Sequence, residues 1–571
     1  MFDVVIVGGG PSGSTCGAFL KKYAPELKVG IFEREIFPRD HVGESLLPAV
    51  CKVLEELGAW NKVEAANFPI KIGATYRWGA TKDLWDFEFL PGAHYKDTPR
   101  PATFEGQRAQ TAFQVDRAVF DKILLDHAKE LGCEVTEGVR ILEVKKAGDS
   151  VTELVLSNGE TVTAKHYVDG SGVSGIIRKE FDVPVEYPTN LKNIAIWDYW
   201  QDADWAVNIG EEGTRIVVMS LGYGWIWYIP ISATRTSVGF VVPLEYYKAS
   251  GLKPDEIYRK ALADEPFITE LLSNAKCEEN LSTTNDWSYI AERLSGENWF
   301  MVGDTCGFAD PILSAGLTLA MMGARQVAYS IIAIEKGDHS KQWLRDFYNE
   351  SHRARIRQHV LFADFWYTSN GQFTDLIDYT AEIAGKAGLR MTPDEAFRWL
   401  GTGGFTHEDQ TQPHIGAFGI QAIQVVNQKF TQQKVVWKVA QNNIFKLNLE
   451  GAEEQEIPIL FEGKIWPRKS FKRDGKMLPK YGVFDIVQLL LAKESEIVPA
   501  IERLRLFFMK NKIYPTIETG VQMALVTLET MISDGWVIAA YDPALPLFPF
   551  EIPEEGASIH RNVDISQLAS L

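Results

Sequence analysis

The first thirty-four residues leave this chain the fewest choices. Residues 2–7, FDVVIV, form a short apolar run suited to the middle of a parallel sheet. Gly8-Gly9-Gly10-Pro11-Ser12-Gly13 follows at once and sets G-x-G-x-x-G at Gly8, Gly10 and Gly13. A helix-compatible run at 14–23 comes next, then a second strand at 28–32 that ends in Glu33. Each glycine has a reason. Gly8 allows the tight turn, Gly10 lets a pyrophosphate approach the backbone, and Gly13 lets helix and strand pack closely. Pro11 and Ser12 complete the turn as further cofactor-binding candidates, the helix N-terminus after it offers free N–H groups to the phosphates, and Glu33 accepts from the ribose hydroxyls with Arg34 beside it. Glycine-rich turns alone are common. Strand, glycines, helix, strand and terminal acid in this order specify a dinucleotide site.

At 571 residues the chain exceeds one ordinary core, so two or more domains are expected. Its formal net charge of −18 argues against a nucleic-acid partner. The five cysteines are scattered, with no C-x-x-C, which suits a reducing compartment and gives neither a disulfide framework nor a zinc site. Residues 1–10 build the first strand, so they are not read as a signal peptide. No uninterrupted apolar stretch approaches a membrane span. The expectation is a cytoplasmic protein without a membrane or metal.

Further along, Glu44 and Ser45 precede a helix from about Leu47, where Pro48 fits an early helical position. Locally they read as a favourable acid and a cap. In the strand at 69–78, alternation groups Lys71, Thr75 and Arg77 on one face, against Ile70, Ile72, Tyr76 and Trp78. On that pattern Lys71 belongs to a solvated face. Arg117 opens a helix and is a further cofactor candidate. Asp169 in V-D-G-S-G ends another strand at a glycine turn, and Gly303-Asp304 ends a third before a long helix. The three segments in order resemble the glutathione-reductase-like flavoproteins, in which such an aspartate bonds the ribityl chain, so FAD is better supported than NAD. Residues 181–285 read as an antiparallel substrate sheet. Domains are expected at 1–365 and 366–571, the second mainly helical, with polar gaps near 401–413 and 450–475. Its 480–545 stretch, three helices and a strand, reads as winged-helix-like, but its acidic balance does not suit DNA.

Gly224-Trp225-Ile226-Trp227-Tyr228-Ile229-Pro230 carries the most information. Core packing would suffice to explain an aromatic strand ended by proline. It also matches the W-x-W-x-I-P motif of the flavin-dependent halogenases. That family is resembled as well by the glycines at 8–13, Val42-Gly43-Glu44-Ser45, Lys71 before Gly73, Gly303-Asp304, Asp310-Pro311 and Ser314-Ala315-Gly316. The resemblance covers about residues 1–365. It implies the FAD-binding α/β fold of the flavin monooxygenases, with FADH2 delivered by a separate flavin reductase. Dioxygen and chloride would give hypochlorous acid at the flavin, and Lys71 would hold or direct the chlorine toward substrate. Trp225 and Trp227 would bar substrate from the flavin, and Ser314, Ala315, Gly316 and Leu317 would hold chloride through backbone N–H groups. Tryptophan halogenases carry a glutamate before the serine of this S-x-G segment, and here Leu313 stands there. That departure favours phenols, pyrroles or acyl groups on a carrier protein, with Glu44 as a second catalytic group. Such a carrier would need a basic patch, for which Arg353, Arg355 and Arg357 are candidates. Asp286 is a candidate for the flavin edge, even as a covalent link, although a strand start explains it too. The C-terminal domain is expected to shape the substrate entrance. A flavin monooxygenase or geranylgeranyl-reductase-like enzyme on the same scaffold is the alternative.

Overall fold

The computed structural model describes residues 1–90, 94–210, 212–285, 288–376, 380, 383, 437–474, 476–513, 516–549 and 559–561. Its contacts divide the chain into two units: Met1–Arg390 with Glu462–Lys464 and His560–Leu571, and Met391–Phe461 with Ile465–Ile559.

In the first unit the strand Phe2–Val7 lies at the centre of a five-stranded parallel sheet. The order is Trp299–Met301, Ala164–Asp169, Phe2–Val7, Val29–Phe32, Glu134–Thr136. Val4, Val5 and Ile6 are fully buried, as a strand covered on both faces requires. Gly8 adopts φ +100°, and a Cβ there would stand 2.4 Å from the Gly170 carbonyl oxygen. A Cβ on Gly13 would meet the Gly8 oxygen at 2.0 Å. The turn is therefore closed to any other residue. The helix Pro11–Tyr23 packs on Gly316–Lys336. That second helix is long and apolar enough to cross a membrane, yet 94% of its most apolar window is buried, so it is a core helix.

The second sheet positions the site. It runs Asn193–Gln201, Arg235–Pro243, Gly224–Pro230, Gly213–Leu221, Ile70–Arg77, Leu84–Glu88, antiparallel except where Ile70–Arg77 meets Gly213–Leu221. One face carries Val217, Met219, Ile226, Tyr228, Val238 and Phe240 against Ile257 and Ala261 of the helix Pro254–Ala263. Each Val, Ile, Met or Phe among them contributes about 1.5–3 kcal/mol by burial. The opposite face carries Trp225, Trp227, Gly239, Ser237, Trp197 and Tyr199, paired across the strands.

Lys71 does not sit where alternation put it. Its strand slips by one residue against Gly213–Leu221: Lys71 lies opposite Thr214, but Gly73 lies opposite Arg215. Ile72 is the extra residue of a bulge, and neighbours along a strand point to opposite faces. The slip therefore separates Lys71 from Thr75 and Arg77 and turns it onto the tryptophan face. Thr75 stays behind, donating to Asp86 at 2.6 Å, with Arg215 and Glu88 beside them. Nor is Lys71 solvated, being 2% exposed.

In the second unit the helices Gly482–Leu491, Ile497–Asn511 and Ile517–Ser533 share one apolar core. The strand Val537–Ala540 follows and pairs antiparallel with Ile444–Leu447. The expected polar gap near 450–475 is instead strands Glu453–Phe461 and Lys464–Arg473, extended by Lys476–Pro479. Their mixed polar composition hid them, because much of this small sheet is solvent-exposed. The gap at 401–413 lies outside the described residues.

Candidate active site

At the nucleotide end the first glycine turn meets the two later segments. Glu33 accepts from the Gly9 N–H at 2.6 Å, which fixes its carboxylate beside the turn. Arg34 points outward and pairs with Glu35. Arg39, which sequence reasoning passed over, lies closer: a Cβ on Gly10 would come within 3.5 Å of its Nη2. Its buried Nη1 has no hydrogen-bond partner among the described residues, although Asp121 stands 3.2 Å away. Arg117 forks onto Asp121 at 2.7 and 2.9 Å and donates to the Val42 carbonyl at 2.8 Å. Its guanidinium thus anchors the loop that leads to Glu44.

The two remaining acids differ. Asp169 accepts from Ser171 N–H and hydroxyl and from the N–H groups of Ile177 and Arg178, so its carboxylate is consumed in shaping the second glycine turn. The Asp304 carboxylate accepts no hydrogen bond among the described residues. Burial pushes it up to about 6, against the opposing charge of Arg117. A Cβ on Gly303 would stand 2.8 Å from Ser12 Oγ, so the first and third segments touch. An unsatisfied carboxylate, an arginine over a glycine turn and a helix start fit the ribityl chain and pyrophosphate of FAD. Asp286 lies outside the described residues.

Lys71 and Glu44 form the second cluster. Lys71 Nζ donates to Ser45 Oγ at 2.7 Å and stands 5.4 Å from the Phe89 ring centroid. Burial pulls its ammonium down to about 7, so amine and ammonium are both accessible near neutrality. Glu44, 2% exposed, accepts from Tyr199 Oη at 3.0 Å and from the Gly43 N–H at 3.1 Å. Burial raises its carboxyl, opposed first by the Tyr199 hydrogen bond. The local reading of Glu44 and Ser45 as a helix acid and cap does not describe these contacts. The helix starts at Pro48 with Leu47 before it and no side-chain cap. The 44–46 segment instead pairs with 113–115, the Val115 N–H donating to Glu44 O and the Leu46 N–H to Phe113 O. That pairing sets Gln114 opposite Ser45, with both carboxamide atoms buried and without a hydrogen-bond partner among the described residues.

Trp225 and Trp227 stand 6.1 Å apart by ring centroids on the lysine face, and Trp197 adjoins Trp227 at 6.4 Å. Trp225 Nε1 donates to Tyr367 Oη at 2.7 Å, and Trp227 Nε1 to Ser237 Oγ at 3.1 Å. Tyr367 also reaches Asp310 at 3.4 Å, and Asp310 accepts from the Ile312 N–H at 2.9 Å. Beyond that cap Ser314 takes a left-handed φ of 55°. The helix Gly316–Lys336 then begins after Ala315, whose carbonyl receives its first bond, from the Leu319 N–H. The N–H groups of Gly316 and Leu317 precede that bond and offer an anion their positive end.

Arg353, Arg355 and Arg357 are not one patch. Arg355 is buried beside His352, while Arg353 and Arg357 both pair with Glu186. Positions two apart on a helix point nearly opposite ways, so the middle arginine enters the core.

Comparison with known proteins gives a consistent family. A family model described as FAD binding domain matches residues 1–363. Tryptophan 2-halogenase of Chondromyces crocatus is 32% identical over 377 residues, covering 65% of this chain and 68% of that protein. The 1H-pyrrole-2-carbonyl-(peptidyl-carrier protein) chlorinase of Pseudomonas fluorescens is 32% identical over 389 residues, covering 66% of this chain and 86% of that one. Among solved structures, CmlS, a flavin-dependent halogenase, superposes with TM-score 0.71 at 25% identity over 97% of this chain and 99% of its own. The myxobacterial chondrochloren halogenase CndH gives TM-score 0.59 at 27% identity, over 75% and 96%.

Proposed function

The chain belongs to the flavin-dependent halogenases, with FAD as cofactor, and on that premise we propose that it chlorinates a phenol, a pyrrole or an activated acyl group held on a carrier protein. Bound FAD, reduced by a separate reductase, supplies with dioxygen the oxidising equivalent that turns chloride into hypochlorous acid. Gly316 and Leu317 N–H groups hold the chloride. Trp225 and Trp227 keep the aromatic substrate on the lysine side. Lys71 hydrogen-bonds the hypochlorous acid and presents its chlorine to the ring. The ring takes chlorine and gives its proton to Glu44, while the hydroxide left behind takes a proton from the Lys71 ammonium and leaves as water. Overall, substrate C–H and HOCl become C–Cl and water.

The observation that carries this reading is the bulge at Ile72, which turns a buried lysine with a near-neutral titration onto the face that holds both tryptophans. The likeness to a carrier-protein pyrrole chlorinase supports chloride and a tethered substrate. The likeness to a tryptophan 2-halogenase favours a second reading, free tryptophan, against which Leu313 stands in the S-x-G segment. The deciding assay supplies a flavin reductase, NADH, oxygen and chloride to carrier-bound pyrroles, phenols and acyl groups and to free tryptophan, and weighs the products. Chlorinated tethered product is expected, and chlorination of tryptophan alone overturns the substrate assignment. Lys71→Ala is expected to abolish chlorination while oxygen consumption and peroxide release continue. Chlorination at the wild-type rate would remove Lys71 from the mechanism.

A further inference from the structure

We infer that Tyr199 is the positioning residue for Glu44: its hydroxyl holds the carboxyl as the carboxylate that accepts the substrate's proton, and Arg235 holds the tyrosine in place. This rests on the reading of Glu44 as the base. The contact is buried on both sides, with Tyr199 Oη 3.0 Å from Glu44 Oε1, Tyr199 5% exposed and Glu44 2%. The strand register makes it available, since Tyr199 projects from the same sheet face as Trp197, Trp227 and, through the bulge, Lys71. Arg235 stacks its guanidinium 3.9 Å from the centre of the Tyr199 ring. It is itself locked, bidentate onto Glu278 at 2.8 and 2.9 Å and reaching Asp116 at 3.1 Å and Asp40 at 3.4 Å. A cation on the ring face draws electron density from the phenol and makes its O–H a stronger donor.

Among the described residues, few titratable or charged side chains act on Glu44. Tyr199 reaches it from Asn193–Gln201, and Arg117 acts from the helix Arg117–Glu130, its charge shared with Asp121 and near His41. Lys71 stands one residue away through Ser45. Arg117 is already committed to Asp121 and the 42–43 carbonyls, so Tyr199 is the side-chain donor to the carboxylate, on Oε1, while the Gly43 N–H donates to Oε2. A hydrogen bond donated to the charged form lowers a carboxyl's titration, and its loss raises it.

The test is the pH profile of kcat/KM for chlorination by the full chain with FAD, reductase and a substrate that turns over. Tyr199→Phe keeps the ring and removes the O–H. Its acid limb is expected to move up by about one to two pH units, the size of a hydrogen bond to a charged group, while the rate above the limb stays within about twofold. Arg235→Gln is expected to move the same limb the same way by less, and it keeps the proposal testable should Tyr199→Phe fail to fold. Glu44→Gln is expected to remove the limb. If Glu44→Gln removes it and both other variants leave it where it was, Tyr199 is only structural and the proposal falls. If Glu44→Gln leaves the limb intact, the base assignment falls and takes this proposal with it.

Discussion

Replacing Gly239 by alanine should strike the tryptophan wall from behind. Gly239 lies across the pairing from Trp227, whose indole covers it. A Cβ there would stand 2.1 Å from Trp227 Cζ2, 2.3 Å from Cε2 and 2.4 Å from Cη2. Carbon atoms rest at about 3.5–4.0 Å, so the ring must retreat by roughly 1.4 Å or more. Both neighbours on its face, Trp225 and Trp197, are themselves indoles and leave it little room. Overpacking of this kind costs about 1–3 kcal/mol. Displacing the indole also strains its 3.1 Å bond to Ser237, worth about 0.5–1.5 kcal/mol more. The expected phenotype has two parts: a thermal midpoint lowered by several degrees, and fewer chlorinated products per NADH consumed with more peroxide released. Flavin content measured by absorbance controls for cofactor loss. An unchanged midpoint together with an unchanged ratio of chlorinated product to peroxide would refute the account of Trp227 as a close-packed barrier.

Two further outcomes follow from titration. Folded Lys71 gives up its proton near 7, whereas the unfolded residue keeps it to about 10.5, so the unfolded chain binds more protons between these values and this group's contribution to stability rises with pH across them. Lys71→Met should therefore stabilise the protein at pH 7 by a few kcal/mol, with the gain shrinking toward pH 10, as urea midpoints at the two values would report. Asp304, titrating at about 6, should hold the ribityl chain well above that pH and poorly below it. FAD affinity, followed by flavin fluorescence, should fall as the pH drops through 6, and Asp304→Asn should weaken it about tenfold while flattening that dependence.

The glycine segments were legible because close backbone contacts admit no other residue, and Gly8 and Gly13 meet their neighbours at distances a Cβ could not survive. Lys71 enters the proposed site only through resemblance. Strict alternation sends it to the wrong face, and a single-residue bulge leaves no mark in a run such as Ile70-Lys71-Ile72-Gly73. Asp169 read as a cofactor ligand because it ends a strand at a glycine turn, but its carboxylate is spent on the helix beyond. Arg39, Ser45 and Tyr199 were hidden for a common reason: each gains its partner from an element distant in sequence, and no local spacing encodes that meeting. The arginine trio failed on helical geometry that the sequence did contain.

The phenol of Tyr367 touches both Trp225 and Asp310, which caps the turn before the left-handed Ser314. One oxygen atom thereby yokes the tryptophan that we propose as the partition to the loop that we propose for the halide. On that proposal a shift of the loop as an ion enters or leaves would pass through the same oxygen to the indole across from it, joining the loading of the site to its sealing.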